Sequence, residues 1–510
     1  MSRPIRTLAD FADWARRSPA LAGGLAFAGP EAEYGIGLER WLPRYGIACI
    51  DASPATAILA QRGVDLCVLD GATAAIAPER RPDAPPLPAP SSEAADTSDA
   101  ADTSEDADGE RGHSTLSLLA DARFARWLDT LAGGGQPNIL VFKSSYQLEQ
   151  QCEARGWRLL APRAGLARRW ENKVAFRSIA EGLGLPQAPG LIFDPARERY
   201  ANLSDRLGRR FVVQAPHGYS GARTWLVDDD EALARALDGL RARRLRATAF
   251  VEGLPLTLTA CVTAQGVAVS SPFCQVTGTA NLTRHALGSC GNDWSTARGL
   301  GLEKPRFNRI AERIGTALAE EGYRGVFGID FVLPPSGEPV VIEVNPRLVA
   351  SIALHAQLEL AEGRLPLLAR HLLAHLEPEA DGAPLDLHQA DLEGGQVILH
   401  NLAAGPRRAR GGLQTGAHAD PGALPGTGYL RPALRVDELG ANETLLLAPS
   451  TDRWFGSGQA WGRLQGRTSV MATDGALRPE LSRWVDHLQA RAGMQDPSLT
   501  ESSGGDSVDA

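Results

Sequence analysis

Apolar and polar positions alternate most sharply between residues 325 and 347. Two runs, 325–333 and 339–347, read as strands joined by the turn Pro334-Pro335-Ser336-Gly337. Side chains alternate faces along a strand, so Glu343, Asn345 and Arg347 share one face while Ile342 and Val344 point to the other. A carboxylate, an amide and a guanidinium in register inside so apolar a strand make poor core residues, because burying an unpaired charge is costly. A divalent metal removes the conflict. Asp330 on the paired strand supplies a second carboxylate, giving the hard oxygen set that magnesium takes beside nucleotide phosphates. The alternative is a solvated surface hairpin, and the apolar flanks argue against it.

The same reading predicts short buried strands at 46–50, 64–69 and 139–142, a helix over 147–155 and a returning strand at 156–160. Strand, helix, strand at this spacing predicts a parallel unit. Helices are expected at 173–183 and 306–321, and one at 358–376 interrupted by Gly363 and Pro366. Strands are expected at 190–193 and 211–214. From 386 onward short strands (396–399, 428–430, 445–447) alternate with Gly/Pro-rich turns, and a helix over 481–492 closes the pattern. The expected fold class is α/β and α+β, multidomain. Residues 1–165 form an α/β domain, 166–384 a domain carrying the hairpin, 385–494 a small mostly β domain, and 495–510 a disordered tail. Within the first domain, 78–113 is rich in Pro, Ser, Ala and Asp and nearly repeats itself at 95–99 and 101–105. It has too few apolar residues to offset the entropy of ordering, which predicts a disordered insertion in a surface loop.

A chain of 510 residues exceeds one core and predicts two to four domains. The net charge of −9 offers no nucleic-acid surface. The local run Arg241, Arg243, Arg244, Arg246 follows a predicted helix and reads as its solvated end. Six scattered cysteines without a Cys-x-x-Cys pair argue against zinc and against a disulfide framework. The first residues show no secretory signal, and no stretch reaches the ~18–20 apolar residues a membrane helix needs. A cytoplasmic protein is the expectation.

The 325–347 hairpin resembles the metal-binding hairpin of the ATP-grasp superfamily, where an acidic residue and a Glu-x-Asn pair hold magnesium against ATP. Asp330, Glu343 and Asn345 match these metal positions, and Arg347 matches an arginine of biotin carboxylase-like and carbamoyl-phosphate synthetase-like members. The resemblance covers roughly residues 166–376. It implies an ATP-grasp fold preceded by a pre-ATP-grasp α/β domain and followed by a small β-rich domain. Lys173, in the pair Asn172-Lys173, matches a lysine that reaches the ATP phosphates. A lysine at a helix start opposes the helix dipole, which a phosphate partner explains. The small-residue loop 216–222, with Ser220 and Gly221, resembles the glycine-rich lid whose backbone approaches phosphate. Gln214 stands where the family places a second lysine, with Arg223 or Arg284 as candidates to replace its charge. The segment 249–253 resembles the hinge where backbone groups pair with adenine, here at Ala249 and Val251. Thr248 and Pro255 occupy places that are often acidic. Asn292-Asp293-Trp294 is either acceptor-site lining or a loop anchored by its tryptophan.

This resemblance implies a carboxylate–amine ligase that forms an amide or peptide bond through an acyl phosphate, with ADP and phosphate released. Lys173 and Arg347 are the expected catalytic residues, Arg347 holding the carboxylate or the tetrahedral intermediate. Lys173, Gln214, Ser220, Gly221, Ala249 and Val251 are the expected ATP contacts. ATP and Mg2+, with Mn2+ as substitute, are the expected cofactors. The expected partners are a small-molecule carboxylic acid and an amine or amino acid, with no nucleic acid, no membrane, and a homodimer as an option. The order of domains, the Asn-Lys-x-x-x-Arg run and the Gln-x-Pro-x-Gly lid are similar to natural-product peptide ligases. Two alternatives stand beside this reading. One is a nucleotide-binding protein without turnover, which Gln214 favours. The other is bicarbonate activation of the biotin carboxylase type, against which Ser351 stands where that family has its catalytic glutamate.

Overall fold

The computed structural model describes residues 4–69, 114–218, 221, 223–238, 240, 242–382, 391–419, 428–472 and 475–495. The predicted insertion at 78–113, Ser220, and residues 496–510 of the predicted tail lie outside them.

The N-terminal region is a five-stranded parallel sheet. Its order is Asp65–Val68, Tyr45–Cys49, Leu25–Ala28, Asn138–Val141, Arg158–Leu160. Strand order reverses between Leu25–Ala28 and Asn138–Val141, so the loops leaving these two neighbours open a crevice at their C-terminal ends. Those loops carry Tyr34 and the pair Phe142-Lys143 toward the centre of the molecule. Leu25–Ala28 is not evident from periodicity, because Leu-Ala-Phe-Ala is short and half alanine. Pairing on both edges and complete burial make it a central strand.

A second, four-stranded antiparallel sheet orders Gly190–Phe193, Leu245–Ala249, Phe211–Gln214 and Thr224–Val227. Its own apolar core, around Phe193, Leu203, Phe211, Leu233 and Leu245, makes it a small separate layer. The third sheet has eleven strands. It runs from Val340–Asn345 through Gly325–Leu333, Leu254–Thr263, Phe273–Thr277 and Ser289–Asp293. It then continues without a break into Gly395–His400, Ala460–Gly466 and Glu443–Leu447. The C-terminal strands therefore extend the sheet that carries the hairpin rather than forming a separate one. Helix Lys304–Glu320 covers this sheet with Phe307, Ile310, Ala311, Ile314 and Leu318, an apolar stripe at helical spacing.

The predicted helix at 358–376 is two helices, Ile352–Ala361 and Leu367–Leu376. Gly363 at φ +69 ends the first and Pro366 caps the second. The first starts six residues earlier than expected, since His355 and Gln357 interrupt the apolar pattern yet are buried. From the second, His371 joins two sheets: its Nδ1 accepts from Val326 N–H (3.0 Å), and its Nε2 faces the Leu160 carbonyl (3.1 Å). This bonding fixes the neutral tautomer protonated on Nε2. Burial pushes His371 down to about 4 and lowers its neighbour His375 as well. The unfolded chain then binds more protons between pH 4 and 6.5, so stability rises with pH across that window and is lost as pH falls from 6.5 toward 4. His371→Gln should flatten this part of the Tm–pH curve by an amount on the order of 2 kcal/mol. Thermal melts at pH 4.5, 5.5 and 7 check it.

Candidate active site

The hairpin pairs Asp330 directly with Glu343 and Gly328 with Asn345, with a bulge next to the Asp330–Glu343 pair. The bulge inserts Ile342, which lines the same cavity as Glu343 although strict alternation puts it on the opposite face. Asp330 Oδ1 accepts from the Thr257 hydroxyl (2.8 Å) and from Gln275 Nε2 (2.7 Å). Asn345 Nδ2 lies between the carboxylates, 3.2 Å from Asp330 and 3.5 Å from Glu343. Burial and the facing Glu343 push the Asp330 carboxyl well up. Burial acts the same way on Glu343, but Lys173, Arg246 and Arg347 overcome it and hold that carboxyl down. One member of the pair is thus a firm anion and the other a reluctant one.

Lys173 faces them from the start of helix Lys173–Gly182. Asn172 caps that helix, its Oδ1 accepting from the N–H groups of Val174 and Ala175 at 3.0 Å each. Lys173 is 5% exposed; its ammonium reaches Glu343 at 2.9 Å and donates to the Gly218 carbonyl at 3.0 Å. A single cation therefore ties the hairpin to the loop above it. In that loop Gly221 has φ +83, and a Cβ there would lie 2.5 Å from the Gly288 Cα. Only glycine allows this approach.

Gln214 is buried and points into the cavity, where its Oε1 accepts from Arg246 through both Nε (2.9 Å) and Nη2. The two residues are register partners on adjacent strands. Arg246 also donates to the Ile342 carbonyl at 3.1 Å. The reading of Arg246 as part of a solvated helix end is corrected here: Arg243 and Arg244 are exposed, but Arg246 is 4% exposed on a strand facing the hairpin. Burial pulls its guanidinium down to about 10, and Glu343 opposes the fall. Of the candidates named to replace the lysine charge, Arg223 is exposed and Arg284 donates to the Leu402 carbonyl. Neither lines the cavity. Ala249 and Val251 both do, but the Ala249 N–H is taken by the Pro189 carbonyl (2.8 Å).

At the other end, Arg347 donates to Glu171 (2.7 Å), the Leu348 carbonyl (3.0 Å) and Asn345 Oδ1 (2.9 Å), and it lies 5.3 Å over the Phe142 ring. Lys143 shares the same Glu171 at 2.9 Å. These cations outweigh burial and hold the Glu171 carboxyl down. Asn292 lines the cavity. Asp293 and Trp294 do not: Asp293 caps a helix and accepts from Val470 and Met471 N–H, and Trp294 stacks on Phe273 at 4.5 Å. Asp330, Glu343, Asn345, Gln214, Arg246 and Arg347 line one cavity of about 510 Å³ between the three sheets, and Lys173 reaches it only through Glu343. Sequence reasoning missed Arg246, Thr257, Gln275 and Tyr34. Only Arg246 left a signal, a lone arginine in the alternating run 245–249.

The donor set suits a divalent cation. Two opposed carboxylates offer hard oxygens and Lys173 supplies the positive charge they face, while Asn345 turns its Nδ2 to them and its Oδ1 to Arg347. Among the described residues no group of three His, Cys, Asp or Glu side chains is placed to hold a metal, so such a site relies on a ligand for the remaining oxygens.

Residues 186–351 match the family model of the ATP-grasp domain. No curated protein sequence matches the chain. Among solved structures, the biotin carboxylase domain dimer of Hydrogenobacter thermophilus 2-oxoglutarate carboxylase, in complex with MgADP, ADP and bicarbonate, is similar with a TM-score of 0.53. Identity is 12%, over 86% of this chain and 85% of that one. Campylobacter jejuni biotin carboxylase, in a β-γ-ATP complex, gives 0.52 at 12% identity, over 87% and 86%. Carboxyaminoimidazole ribonucleotide synthase from Aspergillus clavatus, complexed with ATP, gives 0.50 at 14%, over 91% and 98%. At these identities the likeness is one of fold. Among the described residues no helix is long and apolar enough to cross a membrane. The hairpin and the fold agree with the family match: residues 186–351 are similar to the ATP-grasp domain.

Proposed function

We propose that the protein is an ATP-dependent ligase that joins a carboxylic acid to an amine. The observation that carries this reading is a single cavity joining the facing Asp330 and Glu343 to Arg246 on the lid side and to Arg347, Tyr34 and Phe142 on the other. In this reading 1–165, 166–384 and 385–494 are the front, grasp and closing regions. Lys173 and Arg246 bind the ATP phosphates. Gln214 orients the Arg246 guanidinium, Gly221 brings backbone to the phosphates, and Ala249 and Val251 border the adenine. Thr257 and Gln275 hold Asp330 beside Glu343 and Asn345, which would hold Mg2+ or Mn2+. When bound, that ion neutralises phosphate charge during transfer.

The carboxylate oxygen takes the γ-phosphoryl group and ADP leaves. The amine nitrogen then attacks the acyl carbon, phosphate leaves, and the amine proton passes to solvent. Arg347 has five N–H donors and spends three on Glu171, Leu348 and Asn345. The other two serve the acid carboxylate and the oxyanion formed from it. A peptide ligase of the natural-product type fits this reading.

Bicarbonate as the acid is the second reading, favoured by the bicarbonate in one structural neighbour. Against it, Ser351, buried in the cavity lining, brings no carboxylate. ADP release is therefore measured with magnesium, ATP and hydroxylamine against a panel of amino acids, other carboxylic acids and bicarbonate. Hydroxamate with stoichiometric ADP is expected for one class of organic acid. Tight ATP binding with no ADP release for any acid would leave a nucleotide-binding protein without turnover.

A further inference from the structure

Five lysine or arginine side chains line the cavity among the described residues. Lys143 and Arg347 share Glu171, and Arg177 pairs with Glu181 at 2.9 Å. Among the described residues Arg246 and Arg463 have no carboxylate within 4.0 Å. Arg246 belongs to the phosphate end, so its unpaired charge has a counterpart in the ligase reading. Arg463 lies elsewhere, on the strand Ala460–Gly466, register partner of Ile398. It is 6% exposed. Its Nη2 donates to the Tyr34 hydroxyl, its Nη1 is 3.5 Å from the Ala350 carbonyl, and its guanidinium lies 4.4 Å over the Tyr34 ring. The Tyr34 ring packs 4.9 Å from Phe142, over which Arg347 lies, so two cations bracket an aromatic pair at the acceptor end. Glu31 and Glu33 act on Arg463 only from beyond 4.0 Å, and against burial they and Tyr34 hold its guanidinium up. Arg453 takes Asp51 (2.6 Å) and reaches Glu31 (3.7 Å), and burial together with Glu31 pushes the Glu33 carboxyl up.

A buried guanidinium held by a hydroxyl, a carbonyl and a ring, with no carboxylate in contact, leaves a place open for an anion that a ligand brings. Its planar fork matches a carboxylate. We infer that Arg463 receives a second, non-reacting carboxylate of the substrate. The substrate class is thus an amine that is itself an amino acid, or an acid that is a dicarboxylate, and the ligated product keeps a free carboxylate. This rests on the ligase reading of the same cavity. The bond-forming atoms are unchanged by it, since the Arg463-bound carboxylate neither takes up phosphate nor leaves.

The test is binding to the full-length protein in the presence of MgADP, by calorimetry, of free amino acids and short dicarboxylates, each beside its amide. At least one acid should bind and its amide should bind about tenfold more weakly or worse, as expected for loss of one charge-assisted contact. Arg463→Met should weaken that acid at least as much, leave ADP affinity unchanged and leave a protein that still melts cooperatively. Arg463→Lys should fall between. Whether the bound acid is an amino acid or a dicarboxylate identifies which substrate carries the group. Equal binding of acid and amide, unchanged acid binding in both variants, or no acid bound by the native protein would overturn the inference. Because turnover is not read, silence in ADP release beside intact acid binding counts against the ligase reading alone.

Discussion

Glu343→Gln is expected to lower ATP turnover by about 10²–10³ or more while the protein stays folded. The substitution keeps the shape of the side chain and removes one charge. Glu343 is the firm anion of the pair, and its side chain is 25% exposed to the cavity, whereas that of its partner Lys173 is 7% exposed. Loss of its charge would strand a buried ammonium, which ordinarily destabilises a fold. Here Asp330 stands across the register with a carboxyl pushed up by burial and, next, by Glu343 itself. Removing Glu343 relieves that pressure, so Asp330 ionises and supplies the missing charge. The Tm should therefore drop by only a few degrees. The cation site is less forgiving, because two carboxylates become one. ADP release, Tm and ATP affinity measured together separate these effects. Undiminished turnover would end the assignment of Glu343 to the cation, and a collapse in Tm would mean that Asp330 does not compensate.

The hairpin was legible because everything that defines it is local: a period of two, a Pro-Pro-Ser-Gly turn, and charges at fixed offsets. The Ile342 bulge was not, since one inserted residue leaves the composition of the strand unchanged. Lys173 was legible because a cap and a charge at odds with the helix dipole sit side by side in the sequence. Arg246 was misread for the converse reason. The exposed Arg243 and Arg244 stand just before it, and what makes it a site residue is a pairing with Gln214, 32 positions away. At the acceptor end only Arg347 was legible. Tyr34, Phe142 and Arg463 come from the front-sheet crevice and the far end of the long sheet, and only the tertiary fold brings them together.

The pairing of Gln214 with Arg246 makes a second large effect testable by exchange. Arg246→Gln should weaken ATP about 10- to 100-fold, the range for losing charge-assisted hydrogen bonds in a buried site. AMP, which lacks the distal phosphates, should lose little. The fold should tolerate the change, because two facing amides can satisfy each other and a buried charge without a carboxylate partner is removed. Gln214→Lys alone sets two cations side by side across the register and should lower the Tm. Combined with Arg246→Gln it returns one cation to the same strand pair, and ATP affinity should recover while the Tm rises above that of Gln214→Lys. Such recovery is difficult to explain if Arg246 merely props the lid, since a strut would not be replaced by a lysine on the neighbouring strand. Equal losses for ATP and AMP in Arg246→Gln, or a double variant no better than the single, would make Arg246 structural and leave Lys173 as the cation on which phosphate binding depends.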